Sequence, residues 1–288
     1  MPELPETETI ARDLDGALRG AVIRSVRVIR GDVLRDPRVG GRALVGAART
    51  RCAASLVTAL TDATILQVHR RAKSIVIALD AGGATLRLVA TPRFTGALLI
   101  GTTAANPYDC LVATLSDART LTYRDQRRLG TLTLFRNDAF DAWNVALGPE
   151  PLDPDLTPER FSQILRGSSR AVKTVLMDQR RLAGVGNIYA NEACWRAGIR
   201  PARRARAVTR VQAAALLGEL RTVLTESIAL RGTTFRDFQD AYGGKGGFAP
   251  KLAVYGRGGL PCPRCGAALS ETHEIEGRST VWCAACQR

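Results

Sequence analysis

Apolar positions recur at helical spacing in residues 4–19. Ile10, Leu14, Ala17 and Leu18 share one face, and Glu6 and Glu8 fall in the first turn. Pro5 stands early, where its missing N–H leaves nothing unpaired. Gly20 ends this predicted helix. From about 21 to 136 the period changes to short β-type runs such as AVIRSVRVIR, ATILQV, KSIVIAL and ATLRLV, broken by Gly and Asp. Roughly eight such strands predict an antiparallel sandwich or barrel.

The acidic, proline-rich stretch GPEPLDPDLTP (148–158) interrupts the pattern like a hinge. Helical periodicity then governs residues 158–166, 170–179, 187–197 and 209–231. Within LAGVGNIYANEACWRAGI a glycine-rich turn feeds a helix at Asn187, which fits a helix–turn–helix arrangement. GGKGG (243–247) is a segment that can hardly be rigid, a small cysteine module closes the sequence, and no internal repeat is present.

Composition sharpens the picture. The 288 residues suffice for one large or two modest cores, and 45% hydrophobic content indicates a folded chain. No apolar run approaches the roughly 18 residues that cross a bilayer. The acidic start MPELPETETI is unlike a signal peptide, so an intracellular protein is expected. A net charge of +14 and a pI near 10.2 favour a polyanionic partner, most commonly nucleic acid, although a genome rich in arginine codons gives a similar surplus. The cations are 37 Arg against 4 Lys, so Lys73, Lys173, Lys245 and Lys251 are candidates for roles that need an amine.

Four of the seven cysteines crowd the last 27 residues, as Cys262-x2-Cys265-x17-Cys283-x2-Cys286. Two CxxC knuckles so spaced predict a tetrahedral four-thiolate zinc site, closed to water and therefore structural. Arg264, Arg278 and Arg288 make this module basic, and His273 is surplus to its ligand set. Cys52, Cys110 and Cys194 read as buried small hydrophobes.

The start offers a second candidate. Removal of Met1 before Pro2 would expose a secondary amine. An α-amine titrates near 8, so a useful fraction is neutral and nucleophilic at neutral pH. Glu3 beside it could move protons. Taken alone the signal is weak, and Met-Pro-Glu reads first as an ordinary helix start. With only His69 and His273 in the chain, nucleophile–histidine arrangements are poorly supported, and His69 in VHRRAKS reads as a surface or DNA-facing residue.

Seven segments in order, PELPETE, RRAKSIVIALD, YRDQRRLGTL, GPEPL, KTVLMDQRRLAGVGNIYANEACWRAGIRP, GTTFRDF…GGKGGF and VYGRGGLPCPRCG…GRSTVWCAAC, closely resemble the formamidopyrimidine-DNA glycosylase family across residues 2–286. The resemblance implies a bifunctional enzyme that releases oxidised purines, chiefly 8-oxoguanine and formamidopyrimidines, and nicks DNA by β- and δ-elimination. On it, Pro2 matches the nucleophile at C1′, Glu3 the acid assisting base release and ring opening, and Glu6 a second acid shaping the site. Lys73 matches a phosphate contact and proton donor in elimination. Arg278 matches the clamp on phosphates flanking the lesion. Lys173 and Asn187 fall on phosphate contacts of a helix-two-turn-helix. Arg127 matches the residue pairing with the orphaned cytosine, Arg128 a phosphate contact, and Leu129 the apolar wedge, usually Phe. Lys245 lies in the loop around 233–250 that closes over the extruded base.

Two positions depart from the family pattern. TPRFTG (91–96) replaces HLGMTG, putting Phe94 where a methionine intercalates, and Tyr108 stands where a histidine contacts DNA. The sister endonuclease VIII family, acting on oxidised pyrimidines, typically begins PEGP, which Leu4 does not match.

The expected architecture is α+β: an N-terminal antiparallel β-sandwich with flanking helices (1–136), a hinge (137–158), a helix-two-turn-helix domain with the lesion-binding loop (159–250) and a zinc-finger β-hairpin (251–288). A basic cleft between the two halves would hold the DNA. One structural zinc ion, damaged double-stranded DNA as partner, no membrane, a monomer and a cytoplasmic, nucleoid-associated location complete the expectation. Endonuclease VIII-like activity and a non-catalytic DNA-binding protein on the same scaffold are the rivals. Retention of Pro2, Glu3 and Lys73 together speaks against the latter.

Overall fold

The structure, a computed structural model, describes residues 2–101 and 104–288. Met1, whose removal the sequence reading invokes, lies outside the described residues. The chain divides into two compact units, one of residues up to Val145 together with Leu230–Gly247, the other of Ala146–Ala229 and Phe248–Arg288.

The first unit is a sandwich. Helix α1 (Leu4–Leu18) begins where expected, with proline in its first turn and Glu6 acidic beside it. Ile10, Leu14 and Leu18 are wholly buried, at roughly 1.5–3 kcal/mol for each such side chain. One sheet runs β1 (Ile23–Val28), β7 (Asp109–Leu115), β8 (Thr120–Asp125), β6 (Gly96–Gly101), all antiparallel. The other runs β2 (Leu34–Arg35), β9 (Thr131–Arg136), β5 (Ala84–Thr91), β4 (Ser74–Ala81), β3 (Thr64–Arg71), antiparallel except for the short β2–β9 pair.

Period-2 alternation sets which face each strand buries. Ile75, Ile77 and Leu79 of β4 join Leu98, Ile100, Leu111 and Leu121 in the main core. Val76 and Val89 on the opposite face pack with Phe135, Phe140 and Trp143 as a second, smaller core under α3 (Asn137–Val145).

Two helices depart from the sequence reading. Gly46–Leu60, inside the span read as strands, forms α2, and the first part of the span read as hinge forms α3. Helix α2 buries only Leu56 and Leu60 completely, so its apolar stripe is too thin to register as periodicity.

Leu230–Gly247 belongs to the sandwich through its own contacts. Phe238 and Ala241 enter the main core, and Ile100 N donates to Ala241 O at 2.9 Å. Gly247 N closes the segment on Leu230 O at 2.8 Å. Arg231 Nη2 bonds Asp13 and Asp240, each at 2.6 Å, and Asp240 Oδ1 also accepts from the amides of Tyr242 and Gly244. Despite its glycines, the loop is therefore held at several points.

In the second unit α4 (Pro158–Arg166), α5 (Val172–Met177), α6 (Asn187–Arg196) and α7 (Arg210–Ala229) pack as a bundle. The turn before α6 is cross-braced by Gln179. Its Oε1 accepts from Gly184 N (2.8 Å), and its Nε2 donates to the carbonyls of Met177 (2.8 Å) and Val185 (2.9 Å). Gly184 has φ +85°, a left-handed conformation that favours glycine. Buried Glu192 of α6 accepts three backbone amides, from Ala253, Val254 and Tyr255, and so fixes the lead-in to the cysteine module. That module carries the hairpin β10 (Ser270–Thr272) and β11 (Thr280–Trp282). Among the described residues no helix is long and apolar enough to cross a membrane.

Candidate active site and metal centre

The head of α1 gathers the N-terminal candidates. Pro2 is buried, and Glu3 and Glu6 are 2% and 1% exposed. The Glu6 carboxylate divides its oxygens between two parts of the chain: Oε2 accepts from Glu3 N at 2.8 Å, Oε1 from Thr233 N at 2.7 Å. One side chain thus ties the residue after the candidate nucleophile to the 230–247 segment. Gly232, at φ +84°, lets the backbone approach; a Cβ there would sit 3.0 Å from Glu6 Cγ and Oε1.

Lys73 occupies the two-residue turn between β3 and β4, where Arg71 pairs with Ser74. Ala72 precedes it at φ +54°, a conformation costing an L-residue roughly 1–2 kcal/mol. Flanking arginines brace the turn. Arg70 donates to Glu8 Oε2 (2.8 Å) and to Ala72 O (3.0 Å), and Arg71 Nε donates to Asn144 Oδ1 (2.6 Å). Burial raises the Glu8 carboxyl, but Arg70 and Arg12 outweigh it and hold the group below the usual carboxylate value. His69 is half-buried on β3; burial, reinforced by Arg87 and Arg70, lowers its pKa.

The loops 92–95 and 126–130 meet on the same unit. Phe94, Tyr108 and Leu129 are large apolar side chains left 40%, 42% and 41% exposed. The Arg127 guanidinium lies 4.8 Å over the Phe94 ring. Arg128 pairs with Asp32 at 2.8 Å. Lys245 is exposed on the 230–247 segment. Beneath the two loops lies Asp125, 1% exposed, a residue that sequence reasoning passed over although it sits inside the YRDQRRLG segment.

In the second unit, the segment between β10 and β11 presents Arg278, exposed, with no partner for its guanidinium among the described residues. The helices hold this segment from below. Asn187 Nδ2 donates to Ser279 O (3.1 Å), and Asn191 Oδ1 accepts from Val281 N (2.9 Å). Lys173, read from the sequence as a phosphate contact, is fully buried. Its Nζ donates to Ser279 O (2.7 Å) and Thr280 Oγ1 (2.6 Å). The amine is used inside the protein, next to the residue expected to grip DNA. Asn191 and Glu192 are further supports that polarity alone did not mark, since both are wholly buried.

The four thiols of Cys262, Cys265, Cys283 and Cys286 lie within 4.8 Å of one another, and none forms a disulfide. A zinc tetrahedron with bonds of about 2.3 Å has sulfur–sulfur edges of roughly 3.8 Å, so the cluster has the right size and donor set. Four thiolates leave no position for water. Arg264 of this module stacks 4.5 Å over Trp195 and donates to Arg196 O, so it serves packing.

Three family descriptions match the chain: the formamidopyrimidine-DNA glycosylase N-terminal domain over residues 1–132, the formamidopyrimidine-DNA glycosylase H2TH domain over 147–239, and the zinc finger found in FPG and IleRS over 259–288. A formamidopyrimidine-DNA glycosylase of Xanthomonas campestris pv. campestris (strain B100) is 40% identical over the full length of both chains. The chain belongs to the formamidopyrimidine-DNA glycosylase family. Solved structures agree. The MutM (Fpg) protein from Thermus thermophilus superposes with TM-score 0.83 at 36% identity, covering 99% of this chain and 98% of that one. The Lactococcus lactis Fpg complex with DNA containing an abasic site gives 0.86 at 28% identity, covering 99% of each. The cysteine cluster is the family's structural zinc site.

Proposed function

We propose that this protein is a bifunctional DNA glycosylase and AP lyase of base excision repair that removes 8-oxoguanine and formamidopyrimidines from duplex DNA. The observation that carries the reading is the buried Pro2–Glu3 pair at the head of α1, fixed through Glu6 to a loop some 227 residues along the chain. A non-catalytic binder would have no use for that arrangement.

The chemistry follows from these groups. Freed of Met1, the Pro2 nitrogen attacks C1′ of the damaged nucleotide, and the base leaves with a proton. Glu3 supplies or relays the proton as the sugar ring opens, leaving a cationic iminium between Pro2 and C1′. That cation acidifies C2′–H, so loss of this proton expels the 3′ phosphate, and a second elimination expels the 5′ phosphate. Lys73, held at its strained turn, contacts backbone phosphate and donates the proton that elimination requires. The target base must leave the stack first, and Arg127 with Phe94 and Leu129 fills the space it vacates. Tyr108, Arg128, Asn187 and Lys245 add contacts to the nucleic acid, and Arg278 clamps the phosphates beside the lesion. Lys173 acts on DNA indirectly, by bracing the segment that carries Arg278. The protein acts as a monomer on chromosomal DNA in the cytoplasm, where its substrate lies.

Borohydride added during turnover on an 8-oxoguanine duplex should reduce the iminium and link protein to DNA, and Pro2→Gly should slow the reaction strongly. Robust trapping by a chain that retains Met1 would overturn the assignment of the nucleophile.

A further inference from the structure

Asp125 ends β8 at the point where the loops 92–95 and 126–130 converge. Its carboxylate is buried and accepts from both loops. Oδ1 takes the Thr95 hydroxyl at 2.5 Å and the Arg127 amide at 3.2 Å; Oδ2 takes the Gly130 amide at 2.8 Å. Thr95 Oγ1 closes the triangle by accepting from Arg127 N at 3.0 Å. Tyr123, wholly buried two residues back on β8, places its hydroxyl 3.5 Å from Asp125 Oδ2. That hydroxyl also fills the space beside the glycines that close the two loops. A Cβ at Gly130 would drive into it, and one at Gly96 would come within 2.9 Å.

Both loops carry a non-glycine residue in the left-handed region, Phe94 at φ +35° and Arg128 at φ +53°. Such conformations cost of order 1 kcal/mol or more and persist where the surroundings over-determine them. Here the surroundings are Asp125, Thr95 and Tyr123. Their product on the surface is the stack of Arg127 over Phe94 at 4.8 Å, with both residues exposed. An exposed ring and an exposed guanidinium, above a buried carboxylate that holds the Arg127 amide directly and the Phe94 loop through the Thr95 hydroxyl, form a probe shaped before any ligand arrives.

The geometry points to Asp125 and Thr95 as positioning residues that present Phe94 and Arg127 as one pre-stacked unit, so that this unit, and not Arg127 alone, sets discrimination of the base opposite the lesion. The inference rests on the reading that the protein enters damaged duplex with Arg127. The physical reason is preorganisation. A guanidinium carries donors only, so it suits the O2 and N3 acceptors of cytosine and conflicts with the N6 amino group of adenine. A freely rotating arginine can tilt to keep one bond with either base. One held 4.8 Å over a ring, with its backbone amide bonded, presents a more fixed edge and loses more against the wrong partner.

The test is the ratio of single-turnover excision rates for 8-oxoguanine opposite cytosine and opposite adenine. Measured within one preparation, this ratio cancels any loss of folded or active protein. Phe94→Leu keeps an apolar wedge and removes the ring, and should compress the ratio by about two- to fivefold, the range of an exposed cation–π contact. Thr95→Val removes the hydroxyl that links Asp125 to the Arg127 amide and should compress it by roughly two- to tenfold. Phe94→Tyr and Thr95→Ser restore the ring and the hydroxyl and should restore the ratio, which a merely structural role would not predict. Ratios in Phe94→Leu and Thr95→Val equal to that of the unaltered protein would overturn the proposal. Absence of excision by the unaltered protein would instead refute the glycosylase reading and, with it, this role for the pair.

Discussion

Replacing Lys173 with methionine separates two roles that a lysine near DNA can have. The side chain is fully buried, with its ammonium 2.7 Å from Ser279 O and 2.6 Å from Thr280 Oγ1. Methionine fills nearly the same volume, so the change removes charge and donors and leaves little cavity. A hydrogen bond from a charged group contributes about 1.5–3 kcal/mol, and two are lost. Against this, the variant no longer has to bury an ammonium, which recovers several kcal/mol of desolvation. With about 3 kcal/mol recovered against the roughly 3–6 kcal/mol lost, a net loss of up to about 3 kcal/mol is expected, or up to roughly 150-fold in the balance between a docked and an undocked hairpin segment. At about 4 °C per kcal/mol for a unit of this size, Tm should fall by up to roughly 12 °C. Thermal unfolding and binding to an abasic-analogue duplex over a salt series are the assays. A brace predicts a lower Tm together with weaker binding, because Arg278 is no longer held. A direct phosphate contact predicts an unchanged Tm and a log–log salt slope shallower by about 0.9. The second pattern would refute the placement of Lys173 described above.

Cys283→Ser should lose zinc and DNA affinity together; a variant without zinc that bound lesion DNA normally would contradict a structural role for the metal. Arg278→Ala should leave Tm near that of the parent and flatten the salt dependence of binding by about one unit of slope; an unchanged slope would remove Arg278 from the phosphate contacts. The ion pair of Glu8 with Arg70 makes a pH prediction. The folded carboxyl titrates below its unfolded value, so its contribution is fully present above about pH 4.5 and is lost as pH falls through the lower folded value. Glu8→Gln should therefore lower Tm at pH 7 and make Tm less steeply pH-dependent below about 4.5; parallel Tm–pH curves for the two proteins would exclude this contribution.

How much was legible in the sequence depended on where each residue's partners lie. Helix α1 announced itself because its early proline, its acidic first turn and its apolar face are all local. The four cysteines were equally legible, since metal geometry imposes spacing on the chain. Helix α2 was not, because it leans on the sandwich through few residues. Lys173 misled for a related reason. Its scarcity marked it as special, but the partners that make it special are the backbone and hydroxyl of Ser279 and Thr280, more than a hundred residues away. Asp125 was inconspicuous among neighbouring charges, and only the folded chain shows that it alone of that segment's charged residues is fully enclosed. The 230–247 loop looked loose from its glycines. The anchors that tie it down, Glu6 and Asp13, lie at the other end of the chain.

The return of Leu230–Gly247 to the sandwich bears on how the protein is made. Phe238 and Ala241 complete a core whose other members all lie before Val145, and Ala146–Ala229, a further 84 residues, must be synthesised in between. At about 5–20 residues per second on the ribosome, the nascent sandwich waits roughly 4–17 s with part of its core open to water. Glu6 waits equally long for the Thr233 amide. The end of the molecule that carries Pro2 and Glu3 is thus the first to be translated and among the last to be finished, so a nascent chain stalled within α7 would hold both residues in sequence but lack the loop that fixes them.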